Sequence, residues 1–316
     1  MTSSSLDGRR TTQRLLAAPD CISSLGPKRG WLLLLAIVER VRTLGPILQP
    51  IGVGLDTQDQ FVELAAADAE LVLDPAQPTG WSTPDETLLP DSTVSLLDLF
   101  VPLCVGARAT DMVVAHLAQT LDGRVATTSG SSQFISGRED LTHTHRLRAL
   151  FDGVLVGART VEHDDPRLTT RLAPGPNPTR VIVDPTGRLP NTHRVFQDGD
   201  APTLVVRGPG AFRAGSHVEV LECDVTDGWI AAPTLLAALA DRGIRRVFIE
   251  GGGVTVSGFL DAGVLDRLHL TVAPVLLGSG RPSLKLPEVS SIDEARRLSC
   301  RHFSLGPDIL FDCQLK

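Results

Sequence analysis

The pattern of hydrophobic and polar positions changes near residue 110. Beyond that point, short apolar runs alternate with amphipathic stretches, which is typical of strands that alternate with helices. Strands are predicted at residues 112–118, 153–158, 180–184, 203–206, 217–221, 246–250 and 268–277. Helices are predicted between them at residues 138–151, 233–242 and 254–262. This alternation predicts a mixed, mostly parallel α/β sheet with flanking helices.

The ends of these elements carry further signals. CRHFSLG and DILFDCQL are apolar segments on either side of Pro307, and they predict an antiparallel hairpin at the C-terminal end. SGRE at residues 136–139 predicts a capping box at the start of a helix. Gly243 and Gly263 each follow a predicted helix and are expected to cap its C-terminus.

The first 110 residues have a different character. Residues 1–28 are rich in Ser, Thr, Arg and Gly and are predicted to form a flexible arm. Residues 29–110 are predicted to be a small, mainly helical segment of unknown role. Its helices are expected in GWLLLLAIVERV (30–41) and around QDQFVELAAADAEL (58–71), with a Pro-rich surface loop at 74–90. The apolar window at 30–41 is too short to span a bilayer, so a core helix is expected rather than a membrane span or signal peptide.

Charge and cysteine content narrow the classes of function. A net charge of −7 without a long basic stretch argues against binding to nucleic acid or a membrane surface. The five cysteines are scattered and form no CxxC pair, which suggests reduced thiols of a cytoplasmic protein and no zinc site. His143 and His145 are two residues apart on a predicted helix, so they cannot share a metal ion. No GxSxG elbow is present, which argues against a hydrolase.

The stretch RVFIEGGGVTVSGFLDAG is the strongest local signal for a ligand. A buried strand ends at Glu250, passes through three glycines and leads into a helix. Ligands of open α/β sheets bind beyond the carboxyl ends of strands, and glycines let backbone amides and a helix N-terminus approach a phosphate. The spacing is neither GxGxxG nor a P-loop, so a tight glycine turn without a ligand remains an alternative.

The stretch GARTVEHDDPRLTTR follows another predicted strand in the same way. Thr160 has a hydroxyl for a helix cap or a ligand, and Pro166 is expected to stop the helix at Asp165. Arg171 offers a planar fork suited to a phosphate. Turn residues and solvated charges would explain this loop without any ligand. The repetition of the same architecture at two strand ends favours a binding site.

Six ordered motifs resemble one known family. They are TLDGRVAT, SSQFISG, HRLRALFDGVLVGARTVEHDDPRLTTR, PTRVIVDPTGRLP, VFIEGGG and LTVAPVLLG, and they cover residues 112–316. This set resembles the reductase domain of the riboflavin-pathway deaminase-reductases. The resemblance implies a dihydrofolate-reductase-like fold in residues 111–316. It also implies a homodimer that uses NADPH to reduce a phosphoribosylamino-pyrimidine, such as 5-amino-6-(5-phosphoribosylamino)uracil, to its ribitylamino form.

The resemblance also assigns roles to residues. Those implied for the cofactor are Phe134, Thr160, Asp164, Gly251, Gly252, Gly253, Val254 and Thr255. Those implied for the substrate are Ser132, Arg148, Leu168, Arg171 and Glu250, with the two arginines on the phosphate. Hydride delivery to C1′ of the opened sugar would need proton management by Glu250 or Asp164. Arg188 or Arg207 is the expected partner of the NADPH 2′-phosphate.

Departures from the family pattern leave alternatives open. The chain lacks the HxE and PCxxC motifs of the zinc deaminase, since its first histidine is His116, so deaminase activity is not expected. His116 stands where the family commonly has lysine, which replaces a fixed positive charge with a titratable one. A pterin or folate reductase is one alternative, and a catalytically silent nucleotide-binding or scaffold domain is another.

Overall fold

The computed structural model describes residues 25–84, 89–133, 135–210 and 218–316. Its N-terminal part consists of α1 (Pro27–Leu44), β1 (Ile51–Leu55), β2 (Phe61–Leu64), β3 (Leu71–Leu73), β4 (Trp81–Ser82) and α2 (Asp91–Phe100). The four strands form an antiparallel sheet in the order β2-β1-β3-β4. The N-terminal part therefore contains helices, as predicted, together with a small antiparallel sheet that was not predicted.

The helix predicted around residues 58–71 is wrong, and the reason lies in a turn. Oδ1 of Asp56 accepts hydrogen bonds from the backbone amides of Gln58 and Gln60, and Asp59 adopts a left-handed φ of 58°. This turn reverses the chain, and β2 then pairs with β1. Cross-strand pairing outweighs the helix propensity of the alanine-rich stretch, of which only a short 3₁₀ turn at Ala66–Asp68 remains.

The second part contains a large central sheet and the remaining helices. Its elements are β5 (Val113–Thr120), β6 (Arg124–Thr127), α3 (Arg138–Leu150), β7 (Gly153–Gly157), α4 (Ala158–Asp164), β8 (Thr179–Val183), β9 (Thr203–Arg207), β10 (Val218–Glu222), α5 (Ala232–Ala240), β11 (Val247–Glu250), α6 (Gly253–Asp261), β12 (Arg267–Ala273), β13 (Gly280–Pro282), β14 (Ser299–Leu305) and β15 (Asp308–Gln314). The nine-stranded sheet has the order β10-β9-β8-β7-β11-β5-β12-β15-β14. All the strands from β10 to β12, as they are arranged across the sheet, run parallel to one another. β15 pairs antiparallel with β12, and β14 and β15 form the antiparallel C-terminal hairpin. The predicted sheet and C-terminal hairpin are confirmed.

Element ends agree with the sequence signals in most places. Gly243 and Gly263 have left-handed φ angles of 78° and 64°, as expected of C-terminal caps. The strand predicted at 268–277 ends earlier, at Ala273, because Pro274 has no amide hydrogen for the sheet. The predicted capping box is wrong: α3 is preceded by Gly137, and the Ser136 hydroxyl donates to the Asp140 carboxylate at 2.6 Å.

The two faces of the central sheet belong to separate hydrophobic cores. Alternate side chains such as Ala115 and Ile249 pack with α5 and α6 on one face. On the other face, Val114 and Phe248 belong to a core that also includes residues of α3, α1 and α2. The N-terminal part therefore shares a core with the central sheet and lies outside α3. Nε1 of Trp31 in α1 donates to the carbonyl oxygen of Pro174 at 2.8 Å.

Arg246 connects the N-terminal part to the sheet. Its side chain is buried, and its guanidinium donates to the carbonyl oxygens of Leu103, Ala109 and Leu150. The guanidinium carbon also lies 5.0 Å from the centre of the Phe151 ring. These carbonyl groups come from the end of the N-terminal part and from the end of α3. One cation thus satisfies buried carbonyl groups that have left water.

We expect Arg246→Leu to lower the free energy of unfolding by about 3 kcal/mol or more, because it leaves several buried carbonyl groups without donors. Urea unfolding measures the change. The matched control is Arg245→Leu, which removes an exposed ion pair with Asp111 and is expected to cost less than about 1 kcal/mol. Equal losses in the two variants would contradict the anchoring role of Arg246.

Candidate active site

Two crossovers at the carboxyl ends of neighbouring strands contact each other. β7 leads into α4, β11 leads into α6, and the two strands pair in parallel. A Cβ atom at Gly157, before α4, would lie 2.6 Å from Oγ1 of Thr255 in α6. A Cβ atom at Gly252, before α6, would lie 3.1 Å from Oγ1 of Thr160 in α4. Only glycine allows the first of these contacts, and the second brings Gly252 against Thr160.

The glycine turn after β11 presents backbone to the space between the crossovers. Gly251 and Gly252 adopt left-handed φ angles of 64° and 66° and precede the first residue of α6, Gly253. First-turn amides of a helix have no intrahelical partner and carry part of the positive end of the helix dipole. No side chain caps the start of α6. These amides are therefore suited to bind the oxygens of an anionic ligand.

A single cleft of about 1680 Å³ extends over both crossovers. Most of the residues predicted for the site line it: Ser132, Arg148, Thr160, Asp164, Arg171, Arg188, Glu250, Gly251, Gly252, Gly253, Val254 and Thr255. Its volume exceeds the range of about 300–1,000 Å³ typical of sites for one small ligand. The cleft is thus large enough for a dinucleotide and a second ligand together.

Two of the predicted site residues that the structure describes do not line the cleft. Leu168 has a left-handed φ of 55°, and its side chain is fully buried in the core that α3 covers. Arg207 is also buried, and its Nε donates to the Gly208 carbonyl oxygen at 3.1 Å. Of the two arginines considered for the 2′-phosphate, only Arg188 reaches the cleft. Phe134 lies outside the described residues.

Arg148 and Glu250 form a bidentate ion pair at the floor of the cleft. Nε of Arg148 donates to Oε2 of Glu250 at 2.7 Å, and Nη2 donates to Oε1. Nη1 of Arg148 donates to the Thr169 carbonyl oxygen at 2.8 Å. Glu250 directly precedes the glycine turn, so its ion pair with Arg148 connects the glycine turn to α3. The Arg148 guanidinium, predicted to be a phosphate ligand, is already partly neutralised by this carboxylate.

Arg171 lies beside this pair. Its Nη1 donates to Oγ1 of Thr169 at 2.6 Å, and its backbone amide donates to Nδ1 of His145 at 2.8 Å. Burial, followed by the charges of Arg148 and Arg171, lowers the pKa of His145 to about 4. A neutral His145 beside two guanidinium groups leaves this end of the cleft positively charged, with Arg171 the more exposed cation.

A row of polar residues crosses the sheet beneath α3. Glu250, His116, His269 and Asp312 occupy matching register positions on β11, β5, β12 and β15. Nε2 of His116 lies 3.0 Å from Oδ1 of Asp140 in α3. Oδ1 of Asp140 also accepts a hydrogen bond from Thr271, and Oδ2 accepts one from Ser136. Burial acts to raise the pKa of Asp140, but His116, His143 and the hydrogen bonds lower it overall.

The far end of the row is held by arginine. Asp312 is buried and accepts hydrogen bonds from Arg267 and Arg301 at 2.8 and 2.7 Å. Burial acts to raise its pKa, but His269 and these arginines lower it overall. Nδ1 of His269 lies 3.0 Å from Nε2 of His143, and burial lowers the pKa of both rings. The row therefore places the neutral His269 between the His116–Asp140 pair and the ion pairs of Asp312.

Sequence reasoning identified Arg148 but missed Asp140 and Thr144, the other residues that α3 contributes to this floor. Asp140, Thr144 and Arg148 recur every four residues, so they share one face of the helix, and all three are buried. The signal available in the sequence was this stripe of polar residues at helical spacing, together with histidines in the predicted strands. On the opposite side of the cleft, the hydroxyl of Ser132 donates to Oδ1 of Asp164 at 3.1 Å.

Within the described ranges of the chain, no group of three or more His, Cys, Asp or Glu side chains is arranged to hold a metal ion. No helix in the same ranges is both long and apolar enough to cross a membrane.

Comparisons with known proteins agree with this site. Residues 111–311 match the RibD C-terminal domain. The 2,5-diamino-6-ribosylamino-4(3H)-pyrimidinone 5′-phosphate reductase of Methanothermobacter thermautotrophicus is 38% identical over 218 residues, which cover 65% of this chain and 98% of that protein. The riboflavin biosynthesis protein RibD of Bacillus amyloliquefaciens is 35% identical over 62% of this chain, but the match spans only 55% of RibD.

A solved structure shares the fold. The deaminase and 5-amino-6-(5-phosphoribosylamino)uracil reductase from Thermotoga maritima superimposes with a TM-score of 0.58 at 28% identity, over 71% of this chain and 61% of that one. The expected dihydrofolate-reductase-like α/β fold is thereby confirmed. The chain belongs to the RibD C-terminal domain family, the reductases of riboflavin biosynthesis.

Proposed function

We propose that residues 111–316 reduce a ribosylaminopyrimidine 5′-phosphate to its ribitylamino product with NADPH. The substrate class follows the activity for which the Methanothermobacter relative is named, and the match covers nearly the whole of that protein. The observation that supports the proposal is the arrangement around Glu250. A glycine turn suited to a dinucleotide follows it directly, and the Arg148 and Arg171 guanidinium groups lie beside it.

The residues at the crossovers fit a dinucleotide. Open backbone at Gly251 and Gly252, together with the uncapped start of α6, supplies donors for a pyrophosphate. When bound, the reduced nicotinamide supplies the hydride, and the chain supplies binding and orientation. We assign the preference for NADPH to Arg188, which lines the cleft and has only an exposed carboxylate, Glu162, at 3.4 Å. A 2′-phosphate is a stronger partner than this solvated ion pair.

The substrate end fits a sugar phosphate and a reducible carbon. We place the phosphate on Arg171, because Arg148 is held by Glu250 and Thr169. C1′ of the opened sugar then lies between this cation and the glycine turn. Holding the hydride donor and acceptor carbons in contact is the main catalytic contribution we assign to the protein, since orientation of this kind is worth about 7 kcal/mol or more.

The direct test is turnover of phosphorylated and dephosphorylated ribosylaminopyrimidine with NADPH and with NADH, followed by loss of nicotinamide absorbance. We expect the phosphorylated substrate and NADPH to be preferred. Arg171→Met is expected to lower kcat/KM for the phosphorylated substrate about 10- to 100-fold, the loss of one charge-assisted contact, and to leave the dephosphorylated one unchanged. Arg296→Met, at an exposed ion pair with Asp261, is the matched control. Turnover of a pterin with no response to Arg171→Met would contradict the assigned substrate.

The shared cofactor cleft makes a separate prediction for Gly157. In Gly157→Ala, the new Cβ atom meets Oγ1 of Thr255 at 2.6 Å and pushes the two crossovers apart. We expect NADPH affinity, measured by fluorescence titration, to fall about tenfold or more, the equivalent of about 1.4 kcal/mol. Gly30→Ala in α1 is the matched control, because its nearest neighbour atom lies at an ordinary 3.5 Å. Unchanged NADPH affinity in Gly157→Ala would show that cofactor binding does not depend on this contact.

We infer that the protein is a homodimer. β14 is an edge strand of the central sheet, and Ile309 and Phe311 on the adjoining β15 are 47% and 37% exposed. Covering an edge strand and an apolar face with a second copy removes both from water. Light scattering is expected to give twice the chain mass of 33.7 kDa. A single-chain mass at micromolar concentration would contradict this inference.

We also place the protein in the cytoplasm. Cys104 and Cys223 are buried free thiols in the described part of the chain, which suits a reducing compartment. Cell fractionation that recovers the protein outside the cytoplasm would refute this placement.

A further inference from the structure

The proposed reduction consumes one proton, and its source is the open question of the site. Opening the sugar breaks the C1′–O4′ bond, moves a proton to O4′ and leaves an imine between C1′ and the amine nitrogen. A hydride from the reduced nicotinamide then forms the new C1′–H bond with two electrons, and the amine nitrogen takes up a proton. Substrate, reduced cofactor and one proton thus give the ribitylamine and the oxidised cofactor. A residue in contact with the substrate has to supply that proton.

The two carboxylates predicted for this role are engaged as hydrogen-bond acceptors. Both oxygens of Glu250 accept hydrogen bonds from Arg148, which stabilises the ionised form. Asp164 accepts a hydrogen bond from Ser132 and lies at an exposed position. Both carboxylates are therefore occupied as acceptors, and a separate hydrogen-bond donor is needed for the proton.

His116 lines the same cleft and has different chemistry. Its ring is buried between β11, β12 and α3, where it occupies the register position next to Glu250. Nε2 has two oxygen neighbours, Oδ1 of Asp140 at 3.0 Å and Oγ1 of Thr271 at 3.2 Å. Among the described residues, Nδ1 has one polar neighbour, Oγ1 of Thr144 at 3.5 Å, a distance too long for a strong hydrogen bond. In the imidazolium form, the Nδ1 proton is therefore the one left for a bound ligand.

We propose that His116 is the general acid of the reduction and that Asp140 is the residue that positions and charges it. The Nδ1–H bond of the imidazolium breaks, and its proton goes to the amine nitrogen of the imine as hydride reaches C1′. Neutral His116 is then reprotonated from solvent when the product leaves. This inference rests on the proposed function and names the group that completes its proton balance.

The surroundings of His116 favour the protonated ring. Burial by itself lowers the pKa of His116, but the charges of Asp140 and Glu250 raise it, and the net direction is upward. The other ionisable groups packed around it are His143 and Arg148 from α3 and His269 from β12. Burial keeps His143 and His269 neutral, and Glu250 neutralises Arg148, so Asp140 dominates the charge that His116 experiences.

Two further hydrogen bonds fix the Asp140 carboxylate in position beside His116. The hydroxyls of Ser136 and Thr271 donate to its two oxygens at 2.6 Å each. Both contacts stabilise the carboxylate over the acid, so the proton of the pair remains on the imidazole. Asp140 is therefore a positioning residue, and its removal is expected to change the pH dependence of the reaction.

The test is the dependence of kcat/KM on pH, between about pH 5 and pH 9, for the full chain with NADPH and the phosphorylated substrate. The variants are His116→Gln, His116→Lys and Asp140→Asn, with His302→Gln on the exposed hairpin strand as the matched control. NADPH titration by fluorescence and thermal unfolding accompany each variant. These measurements separate a loss of proton donation from a loss of folding or cofactor binding.

In the wild type, kcat/KM is expected to fall about tenfold per pH unit above the pKa of His116, as for any single required proton. His116→Gln is expected to be about 100-fold slower at low pH and to show no such fall. Asp140→Asn moves the fall to lower pH, because the stabilising charge is gone. His116→Lys recovers activity and moves the fall to higher pH, and His302→Gln keeps the wild-type profile.

Several results would overturn the proposal. If the wild type is active and His116→Gln keeps both its pH profile of kcat/KM and its NADPH binding, His116 is not the proton donor. The proposed function then still stands. Equal, pH-independent losses in His116→Gln and His116→Lys would show that only the shape of the imidazole matters. A wild type that binds NADPH but reduces neither pyrimidine substrate overturns the proposed function itself, and the proton role with it.

Discussion

The burial of charge beneath α3 is the constraint on which the site depends. Ionised groups leave water only when each has a partner, because an unpaired buried charge costs several kcal/mol. Here the carboxylates of Glu250, Asp140 and Asp312 are matched by Arg148, His116 and the arginines of β12 and β14. Shifting α3 along the sheet would break the Arg148–Glu250 and His116–Asp140 pairs together. The helix is thus fixed over β5 and β11, and the floor of the cleft is fixed with it.

The cleft itself follows from a second constraint, the closeness of neighbouring parallel strands. Neighbouring strands in one sheet lie about 4.8 Å apart, so there is little room between the loops that follow β7 and β11. Gly157 has no side chain at the point where Thr255 packs, and Gly252 has none where Thr160 packs, so the two loops fit side by side. Backbone and hydroxyl groups therefore face the cleft where bulky residues would otherwise close it.

The N-terminal part contributes by covering α3. Trp31 and Phe100 contact each other, and the Arg146 guanidinium lies 5.5 Å from the centre of the Trp31 ring. Arg246 joins the same region to the sheet from inside. A helix whose inner face is polar gains little hydrophobic stabilisation from that face, so apolar packing on its outer side supports it. This part thus stabilises the floor of the cleft without lining it.

The sequence alone determined the elements whose signals are local. Strand and helix positions after residue 110, the C-terminal hairpin and the glycine caps follow from hydrophobic period and turn chemistry, and ordered motifs identified the family. The helix expected near residues 58–71 failed because pairing with β1 outweighed local propensity. Only the tertiary structure decided that Glu250 forms an ion pair with Arg148, that Leu168 is buried in the hydrophobic core and that His116 lies within hydrogen-bond distance of Asp140. These contacts join residues 24 to 102 positions apart or depend on packing from several elements, and no local pattern encodes such partners.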